Sequence, residues 1–532
     1  MKIKSIILKN FRRYKNEVIL PVSDLTVLVG KNDIGKTSVL EALDIFFNGS
    51  KAINKISIDD LNVDARRSED KEISIGVEFY DLPNSIVLDS TCKTSLKDEF
   101  LLTKNNTLLV MKKYKGDGVK ESVFIRANHP TNIACADLLS KKNADLKKIV
   151  QTNKMECDNL TSNPELRKTI WGYYSNSLDL QEVDIDVTKE DSKTIWSELE
   201  KRLPIYSIFT ADRKNEEDDS EVQDPLKETV KQIFREPEII QELDVVAIKV
   251  KEALQKVSDA TLQKLKEISP NLADELHPRI GETFDLKWAD VFKTVSITGD
   301  NDIPLNKRGS GFRRLVLLSF FAAEADRKDA EKTNGVIYAF EEPETSMHSN
   351  NQKLLMDSFK KIVKKDGRQV LLTTHSPVIV KTLTEGNSTR PCYENVVLLK
   401  EKDGLFSISP LDSAMLPFPS INEVIYLAFD ETLEEYHDEL YGFLQTNGKI
   451  CSDCPDNDDK DDYVVKTGIR TLSYNKMGRN KQPNGNARLS LTKYIRNQIH
   501  HPENNLNPRF TSAELKESVD CMRKYISDNH LI

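Results

Sequence analysis

A turn bounded by two glycines, set between an apolar strand and a helix, fixes the fold class of the first part of the chain. Residues 25–29 are a continuous apolar and β-branched run of the kind found in buried parallel strands. The turn follows directly as GKNDIGKTS at residues 30–38, which fits the pattern GxxxxGK[ST] without a gap. The next apolar residues share one helical face: Val39, Leu40, Leu43 and Phe46. Strand, glycine loop and helix together predict an α/β fold with a phosphate-binding loop.

The residue types of this loop suit a nucleotide and a divalent metal. Gly30 and Gly35 allow backbone N–H groups to converge on phosphate oxygens at a helix N-terminus, whose dipole favours negative charge. Lys36 would reach the β- and γ-phosphates, Thr37 would bind Mg²⁺, and Ser38 would bond to the α-phosphate. The predicted nucleotide-binding residues are Gly30, Asn32, Gly35, Lys36, Thr37 and Ser38. A glycine turn without a ligand is the alternative, and the complete motif in its strand-helix context disfavours it.

Two further strand ends supply the side chains that hydrolysis needs. Residues 335–340 form an apolar run that ends at Glu341 and Glu342. A carboxylate at such a strand end can hold Mg²⁺, here Glu341, and the next one, Glu342, can act as general base on the attacking water. A second apolar run, residues 369–374, ends at His375, which would contact the γ-phosphate.

A small-residue motif lies between the loop and these strands. Arg308-Gly309-Ser310-Gly311 precedes an apolar helical stretch at residues 316–323. One interpretation is a turn with Ser310 as the helix N-cap. The other is a second phosphate-binding helix start, in which Ser310 and Gly311 present their backbone N–H groups.

The order of these four motifs resembles the ABC-type ATPase heads of the RecF, SMC and OLD group. The opening Lys9-Asn10-Phe11-Arg12 is similar to the first strand of those heads, and Glu341-Glu342-Pro343-Glu344-Thr345 followed by His348 is most similar to the OLD branch. The resemblance implies ATP and Mg²⁺ as cofactors. It also implies a homodimer through the heads, with higher assembly left open, in which Ser310 and Gly311 of one protomer cap the ATP of the other.

The chain departs from that family in two places. The Q-loop glutamine should follow a strand such as residues 73–79, yet the first glutamine of the chain is Gln151. The signature sequence is RGSGFRR, at residues 308–314, instead of the usual LSGGQ. Both departures lead us to expect slow hydrolysis.

The predicted architecture is a P-loop ABC-type head split by a helical insertion and followed by an α-helical C-terminal domain. The predicted boundaries are 1–140 for the N-terminal lobe of the head, 141–277 for a helical arm, 278–412 for the C-terminal lobe, and 413–532 for the C-terminal domain. An apolar helical pattern over residues 226–268 supports a short arm, because it is too short for a coiled coil sustained over many heptads.

Composition excludes several classes of protein. The 532 residues carry 76 Lys plus Arg against 85 Asp plus Glu, a net charge of −9, which argues against a small basic DNA-wrapping protein. No signal-peptide pattern and no run of about 18 apolar residues occur, so no membrane association and a cytoplasmic location are expected. The seven cysteines do not indicate a disulfide framework. Cys451 and Cys454 have CxxC spacing, but no second ligand pair follows, and we predict no metal there.

The C-terminal domain shows one short motif of its own. Residues 421–442 and 488–532 are predicted to be helical, and Arg496 and His501 are separated by four residues. This spacing resembles the R-x4-6-H motif of HEPN ribonucleases, in which the histidine assists 2′-hydroxyl attack and the arginine steadies the phosphate. The alternative is a cationic helix C-terminus without catalytic function.

The head, the short arm and the helical C-terminal domain together most resemble the ATPase subunit of Septu-type anti-phage systems. That resemblance implies an ATPase that regulates nucleic-acid cleavage by a partner HNH nuclease. Two alternatives stay open: a HEPN-like ribonuclease gated by its own ATPase, and a RecF-like DNA repair ATPase. Five aromatic residues of the C-terminal domain are candidate docking anchors for the partner, and the alternative, which the residue type favours, is that they are simple core residues. They are Tyr426, Phe429, Tyr436, Tyr441 and Phe443.

Overall fold

The fold is taken from a computed structural model. It describes residues 1–87, 93–115, 120–188, 190–209, 335–345, 347–365, 367–384, 394–402, 405–411, 415–416, 420–450, 462–478 and 481–531, with single helical positions at 245, 249 and 252. Ser310 and Gly311, the cysteine pair Cys451 and Cys454, and all but three residues of the helical pattern at 226–268 lie outside the described residues.

Sixteen strands occur in the described residues. They are β1 Lys2–Lys9, β2 Val18–Pro21, β3 Leu25–Val29, β4 Ile73–Tyr80, β5 Ile86–Val87, β6 Lys93–Thr94, β7 Leu108–Lys115, β8 Lys120–Pro130, β9 Leu180–Asp186, β10 Ile205–Phe209, β11 Val336–Glu341, β12 Arg368–Thr374, β13 Glu394–Lys402, β14 Leu405–Pro410, β15 Thr471–Met477 and β16 Pro483–Ser490.

Eleven α-helices accompany these strands in the same described residues. They are α1 Lys36–Asn48, α2 Asn143–Thr152, α3 Asn163–Tyr173, α4 Glu190–Glu200, α5 Ser349–Val363, α6 Pro377–Thr384, α7 Ile421–Phe429, α8 Glu434–Thr446, α9 Asp462–Thr467, α10 Leu491–His500 and α11 Ser512–Asp528. None of the described helices is long and apolar enough to cross a membrane.

A six-stranded, mainly parallel sheet carries the predicted site. Its order is β10-β11-β12-β3-β13-β14, and only the β13-β14 pair is antiparallel. All five residues of β3 are buried, which confirms the predicted buried parallel strand. Thr373 of β12 lies opposite both Leu28 of β3 and Glu341 of β11, so the three carboxyl ends stand at one level. Ligands of open α/β sheets bind at such an edge.

A second, antiparallel sheet completes the head. Its order is β2-β1-β4-β7-β8-β9, and β4 confirms the strand predicted at residues 73–79. One large hydrophobic core contains residues of both sheets and of α1, among them Leu8, Leu28, Leu43 and Val77. The apolar face predicted for α1 is therefore the face that packs between the two sheets.

Two strands within residues 141–277, the segment predicted to be the helical arm, pair with strands of the head sheets. β9 pairs with β8, and β10 pairs in parallel with β11, although both strands lie inside the segment assigned to the arm. Residues 180–186 and 205–209 therefore belong to the head sheets. The chain divides into one compact unit at residues 1–211 and 327–532 and a second at residues 212–326. The predicted domain boundaries stay predictions.

The C-terminal domain is mostly helical but contains a hairpin that the sequence analysis missed. β15 and β16 pair antiparallel, so the prediction that a helix begins at Arg488 is wrong. Leu489 faces Leu472 across the hairpin, and the helix begins only at Leu491, where the Ser490 hydroxyl accepts a hydrogen bond from the Lys493 N–H at 3.3 Å.

The aromatic residues of the C-terminal domain serve its core more than its surface. Tyr436 and Tyr441 are buried in a hydrophobic cluster formed by α8, α9, α10 and α11, so these two are core residues, as the alternative interpretation predicts, and not exposed anchors. Tyr426 and Phe443 are partly buried against the same cluster. Phe429, at the end of α7, has a different environment that is described below.

Replacing Arg167 with methionine tests the buried ion pair that ties α3 to the head. Arg167 is fully buried, and its Nε and Nη2 atoms donate to the two carboxylate oxygens of Glu99 at 2.7 and 2.8 Å. Removing one partner of such a pair leaves a buried charge and costs about 3–5 kcal/mol, so we expect a clearly lower thermal unfolding midpoint. The matched control, Lys201→Met, removes a pair with Glu198 in which the lysine is exposed, worth about 0–1 kcal/mol. Equal midpoints for the two variants would contradict this prediction.

Candidate functional site

The glycine loop joins β3 to α1 in a conformation that requires its two glycines. Gly30 has φ +155° and Gly35 has φ +96°, both in the region that residues with side chains rarely adopt. A Cβ on Gly30 would come within 2.6 Å of the carbonyl oxygen of Leu399 on β13. A Cβ on Gly35 would meet the ring of Tyr14 at 3.2 Å. The backbone can follow this path only with glycine at both positions.

The start of α1 suits an anionic ligand. Gly35 is the N-cap and offers no side-chain cap, and no acidic residue stands in the first turn of the helix. The first N–H groups of a helix carry partial positive charge and lack partners within the helix, which favours phosphate at this end. The loop and the helix start therefore fit the phosphates of a nucleotide.

Lys36 is held inside the loop. Its side chain is buried, and its Nζ atom donates to the carbonyl oxygens of Gly30 at 3.0 Å and Lys31 at 2.9 Å. Burial lowers the pKa of Lys36 to about 8, while the nearby carboxylates, Glu342 foremost, act in the opposite direction. The cation needs an anionic partner to offset its desolvation, and phosphate supplies one.

Thr37 and Glu341 meet although they lie far apart in the sequence. The Thr37 Oγ1 donates to the Glu341 Oε1 at 2.5 Å. Glu341 is the last residue of β11, and Thr37 is the second residue of α1. A hydroxyl and a carboxylate are the hard oxygen ligands that Mg²⁺ prefers, so this donor set fits the metal. When bound, Mg²⁺ would neutralise charge on the phosphates.

Glu342 and His375 lie side by side at neighbouring strand ends. The Nε2 atom of His375 is 3.2 Å from the Oε1 atom of Glu342. Glu342 has a left-handed backbone, with φ +41°, and its N–H donates to the carbonyl oxygen of Thr373 at 3.1 Å. Burial, and then the charge of Lys36, lower the pKa of His375 to about 4. The imidazole is therefore neutral near pH 7 and can donate one proton while it accepts another.

A third carboxylate, Glu344, holds the backbone that carries His375. Its Oε1 atom accepts hydrogen bonds from the Thr374 hydroxyl at 2.6 Å and from the His375 backbone N–H at 3.1 Å. Its Oε2 atom is buried without a partner among the described residues, and burial raises the pKa of the Glu344 carboxyl. Glu344 lies within the motif Glu341–Thr345, but the sequence alone does not indicate a role for it. The signal that could have found it is a third acidic residue two positions after Glu342, separated from it only by Pro343.

One cavity of about 410 Å³ collects most of these groups. It is lined by Asn32, Asp33, Gly35, Lys36, Thr37, Ser38, Glu342 and His375. Of the predicted ATP-site residues that the structure describes, only Gly30 and Glu341 do not line it. Gly30 and Glu341 instead contact residues that do, Lys36 and Thr37.

The two residues of the second predicted site have separate environments. The guanidinium of Arg496 lies over the ring of Tyr441, 5.7 Å from its centroid. The Nδ1 atom of His501 is 3.4 Å from the Glu503 carboxylate, and the His501 side chain is exposed. The neighbouring His500 pairs with Asp438 at 2.6 Å. These contacts match those expected at a cationic helix C-terminus, and the ribonuclease role of Arg496 and His501 stays a prediction.

A family model described as AAA ATPase domain matches residues 1–380 of the chain. The chain belongs to this AAA ATPase domain family. The matched region contains the glycine loop, both assigned carboxylates and His375. The protein is thus an ATPase. Its motifs follow one another along the chain in the order found in the ABC-type ATPases of the RecF, SMC and OLD group.

A curated relative shares part of this sequence. The chain is 21% identical over 443 residues to the endonuclease GajA of Bacillus cereus strain HuB5-5, in an alignment covering 78% of this chain. The chain spans only 61% of the length of that relative.

The chain is also similar to solved structures of SMC heads. An SMC head bound to the C-winged helix domain of ScpA covers 77% of this chain and 98% of its own, at 14% identity and a TM-score of 0.38. The SMC head domain from Thermotoga maritima covers 77% of this chain and 100% of its own, at 12% identity and a TM-score of 0.31.

The environment of His375 makes a prediction about its titration in the ligand-free protein. Because the folded pKa lies below that of an exposed histidine, the unfolded chain binds more protons between the two values, and this group's contribution to stability rises with pH there. In protein with ¹³C-labelled histidine, the His375 signal is identified as the one that is missing from the spectrum of His375→Asn. The chemical shift of this signal should stay constant from about pH 5.5 to 8, where an ordinary histidine titrates. A midpoint near the ordinary value of about 6.5 would contradict the burial of this ring.

Proposed function

We propose that this ATPase hydrolyses ATP in the cavity between the glycine loop and the ends of β11 and β12. In this proposal Lys36 binds the β- and γ-phosphates, and Ser38 and the loop N–H groups bind the remaining oxygens. Thr37 and Glu341 would hold Mg²⁺. The 2.5 Å contact between Thr37 and Glu341 is the observation that carries the proposal, since it joins the two metal ligands that the motifs predict.

Glu342 and His375 have different roles in the hydrolysis step. Glu342 accepts a proton from a water molecule, whose oxygen attacks the γ-phosphorus while the bond to the β-phosphate oxygen breaks, giving ADP and phosphate. The neutral His375 ring donates to the Glu342 carboxylate through Nε2 or to the γ-phosphate. Glu344 keeps His375 in position through the backbone N–H, so it acts as a positioning residue.

The proposal extends to a homodimer. Ser310 and Gly311, which lie outside the described residues, would cap the ATP of a second copy, as the family resemblance implies. Hydrolysis would then require two chains, and nucleotide binding would set the assembly state.

Two substitutions separate nucleotide binding from hydrolysis. Lys36→Ala should abolish ATP binding, because the buried cation that offsets the phosphate charge is lost. Glu342→Gln should retain ATP binding and lower kcat by about 10² to 10⁴, the usual contribution of a general base. Calorimetric binding and phosphate release measure the two effects, and light scattering of the ATP-bound Glu342→Gln protein should show the dimer. Unchanged ATP binding in Lys36→Ala would refute the site.

We further propose that this ATPase controls nucleic-acid cleavage in anti-phage defence, acting with a separate HNH nuclease as in Septu-type systems. The supports are the order of the motifs and the similarity to a relative named as an endonuclease, of which the chain spans 61%. The alternatives assign cleavage to the C-terminal domain itself, or assign the chain to DNA repair without cleavage.

Cleavage assays distinguish these proposals. The purified chain, alone and with the HNH subunit of a Septu-type system, is incubated with plasmid DNA or RNA, with and without ATP. We expect cleavage only when both proteins are present, and an ATP dependence that Lys36→Ala removes. Metal-independent RNA cleavage by the chain alone, lost in His501→Ala, would instead establish the ribonuclease alternative. ATP-dependent DNA binding without cleavage, in cells that gain no phage resistance, would favour the repair alternative.

A further inference from the structure

The C-terminal domain reaches the ATP site through the last residue of α7 and the residue after it. The ring of Phe429 stacks on the ring of His375, with 6.4 Å between centroids and 23° between planes. The carboxylate of Asp430 lies 3.4 Å from the Nζ atom of Lys31 in the glycine loop. Two consecutive residues outside the ATPase motifs therefore contact two separate elements of the nucleotide site.

Asp430 connects the glycine loop to a second helix of the C-terminal domain. While one of its oxygens faces Lys31, the other accepts a hydrogen bond from Lys516 on α11 at 2.6 Å. Its backbone is left-handed, with φ +55°, and ends α7. Because this conformation turns the chain sharply at the helix end, the carboxylate is directed out of α7 and between the two lysines.

Phe429 acts on an element that already packs against its own helix. α6, which begins two residues after His375, packs against α7, so the position of the His375 ring is linked to α7 both directly and through the backbone. Phe429 is half-buried. Without the Phe429 ring, Glu344 would still hold the backbone of His375 through its N–H group, but the imidazole would be free to change its angle.

The ion pair between Lys31 and Asp430 is weak enough for ATP to displace. Lys31 is 62% exposed and Asp430 is 49% exposed, so their ion pair is weak and screened by solvent. The Lys31 carbonyl oxygen also accepts from Lys36 Nζ, which ties this part of the loop to the phosphate-binding lysine. Phosphate charge arriving in the loop would attract Lys31 and repel Asp430.

We propose that Phe429 and Asp430 are positioning residues of the ATPase site, through which the C-terminal domain and bound ATP influence one another. Phe429 holds the His375 ring at the angle needed for γ-phosphate contact. Asp430 competes with the phosphates for Lys31, so that ATP binding loosens the contact of the glycine loop with α7 and α11. This inference rests on the proposed role of His375. A partner that binds the C-terminal domain and moves α7 would change the affinity for ATP by some factor. By thermodynamic linkage, ATP would change the affinity for that partner by the same factor.

Asp430→Asn tests the electrostatic half of the proposal. Asparagine keeps the left-handed backbone but removes the charge, so ATP should bind about twofold to fivefold more tightly, the range expected for an exposed ion pair. The control Glu431→Gln removes the same charge from the next, exposed residue and should leave the Kd unchanged. In a Lys31→Met background the effect of Asp430→Asn should disappear. Equal effects of Asp430→Asn and Glu431→Gln, or persistence of the effect without Lys31, would overturn the competition.

Phe429→Leu tests the other half with a change that keeps apolar volume. We expect kcat to fall by about twofold to tenfold, the value of one aromatic contact, with KM and the thermal midpoint nearly unchanged. Ile421→Ala, at the exposed first residue of α7, is the control and should leave kcat unchanged. His375→Ala separates the two ideas: if it leaves kcat intact, the proposed role of His375 fails. If it lowers kcat while Phe429→Leu does not, the positioning role of Phe429 is overturned.

Discussion

The pairing of β3 with strands from the second half of the chain is the constraint on which the ATP site depends. β3 is buried along its whole length, with β12 on one side and β13 on the other. This register brings the ends of β3, β11 and β12 to one level, and it places the Leu399 carbonyl where only glycine can occupy position 30. Thr37 and Glu341 are 304 residues apart in sequence, and they meet because three parallel strands end together.

The local part of the site could be predicted because its requirements are local. The glycine loop needs two unusual backbone conformations five residues apart, and the residue types that allow them are visible in the sequence. The carboxylates and His375 were found because each follows a short apolar run, which indicates a buried strand. What could not be predicted is which strands are neighbours, and hence that Glu344 from one loop supports His375 from another.

The C-terminal domain shows where sequence patterns lose information. From the sequence alone, Tyr436 and Tyr441 cannot be distinguished from exposed aromatic residues that bind a partner. The packing of α8 against α10 and α11 buries both of them. The hairpin of β15 and β16 is rich in serine, threonine and asparagine, so its alternation is weak, and the adjacent helix pattern was extended into it. The sequence pattern placed β9 and β10 in the arm for a related reason, because they are recognisable as strands of the head sheets only through their partners.

The two sheets of the head also differ in when they can form during synthesis. Every strand of the antiparallel sheet comes from residues 2–186, whereas β3 must wait for β12 and β13, which end at residue 402. Strand pairing over such separations is slow, because the loop-closure entropy is lost before the new contacts stabilise the chain. The glycine loop is thus translated early but acquires its binding shape late, so a ribosome-bound chain lacking its last third would display an ordered antiparallel sheet beside an unpaired, apolar β3. That interval exposes the strand to aggregation and makes β3 a natural segment for chaperone protection.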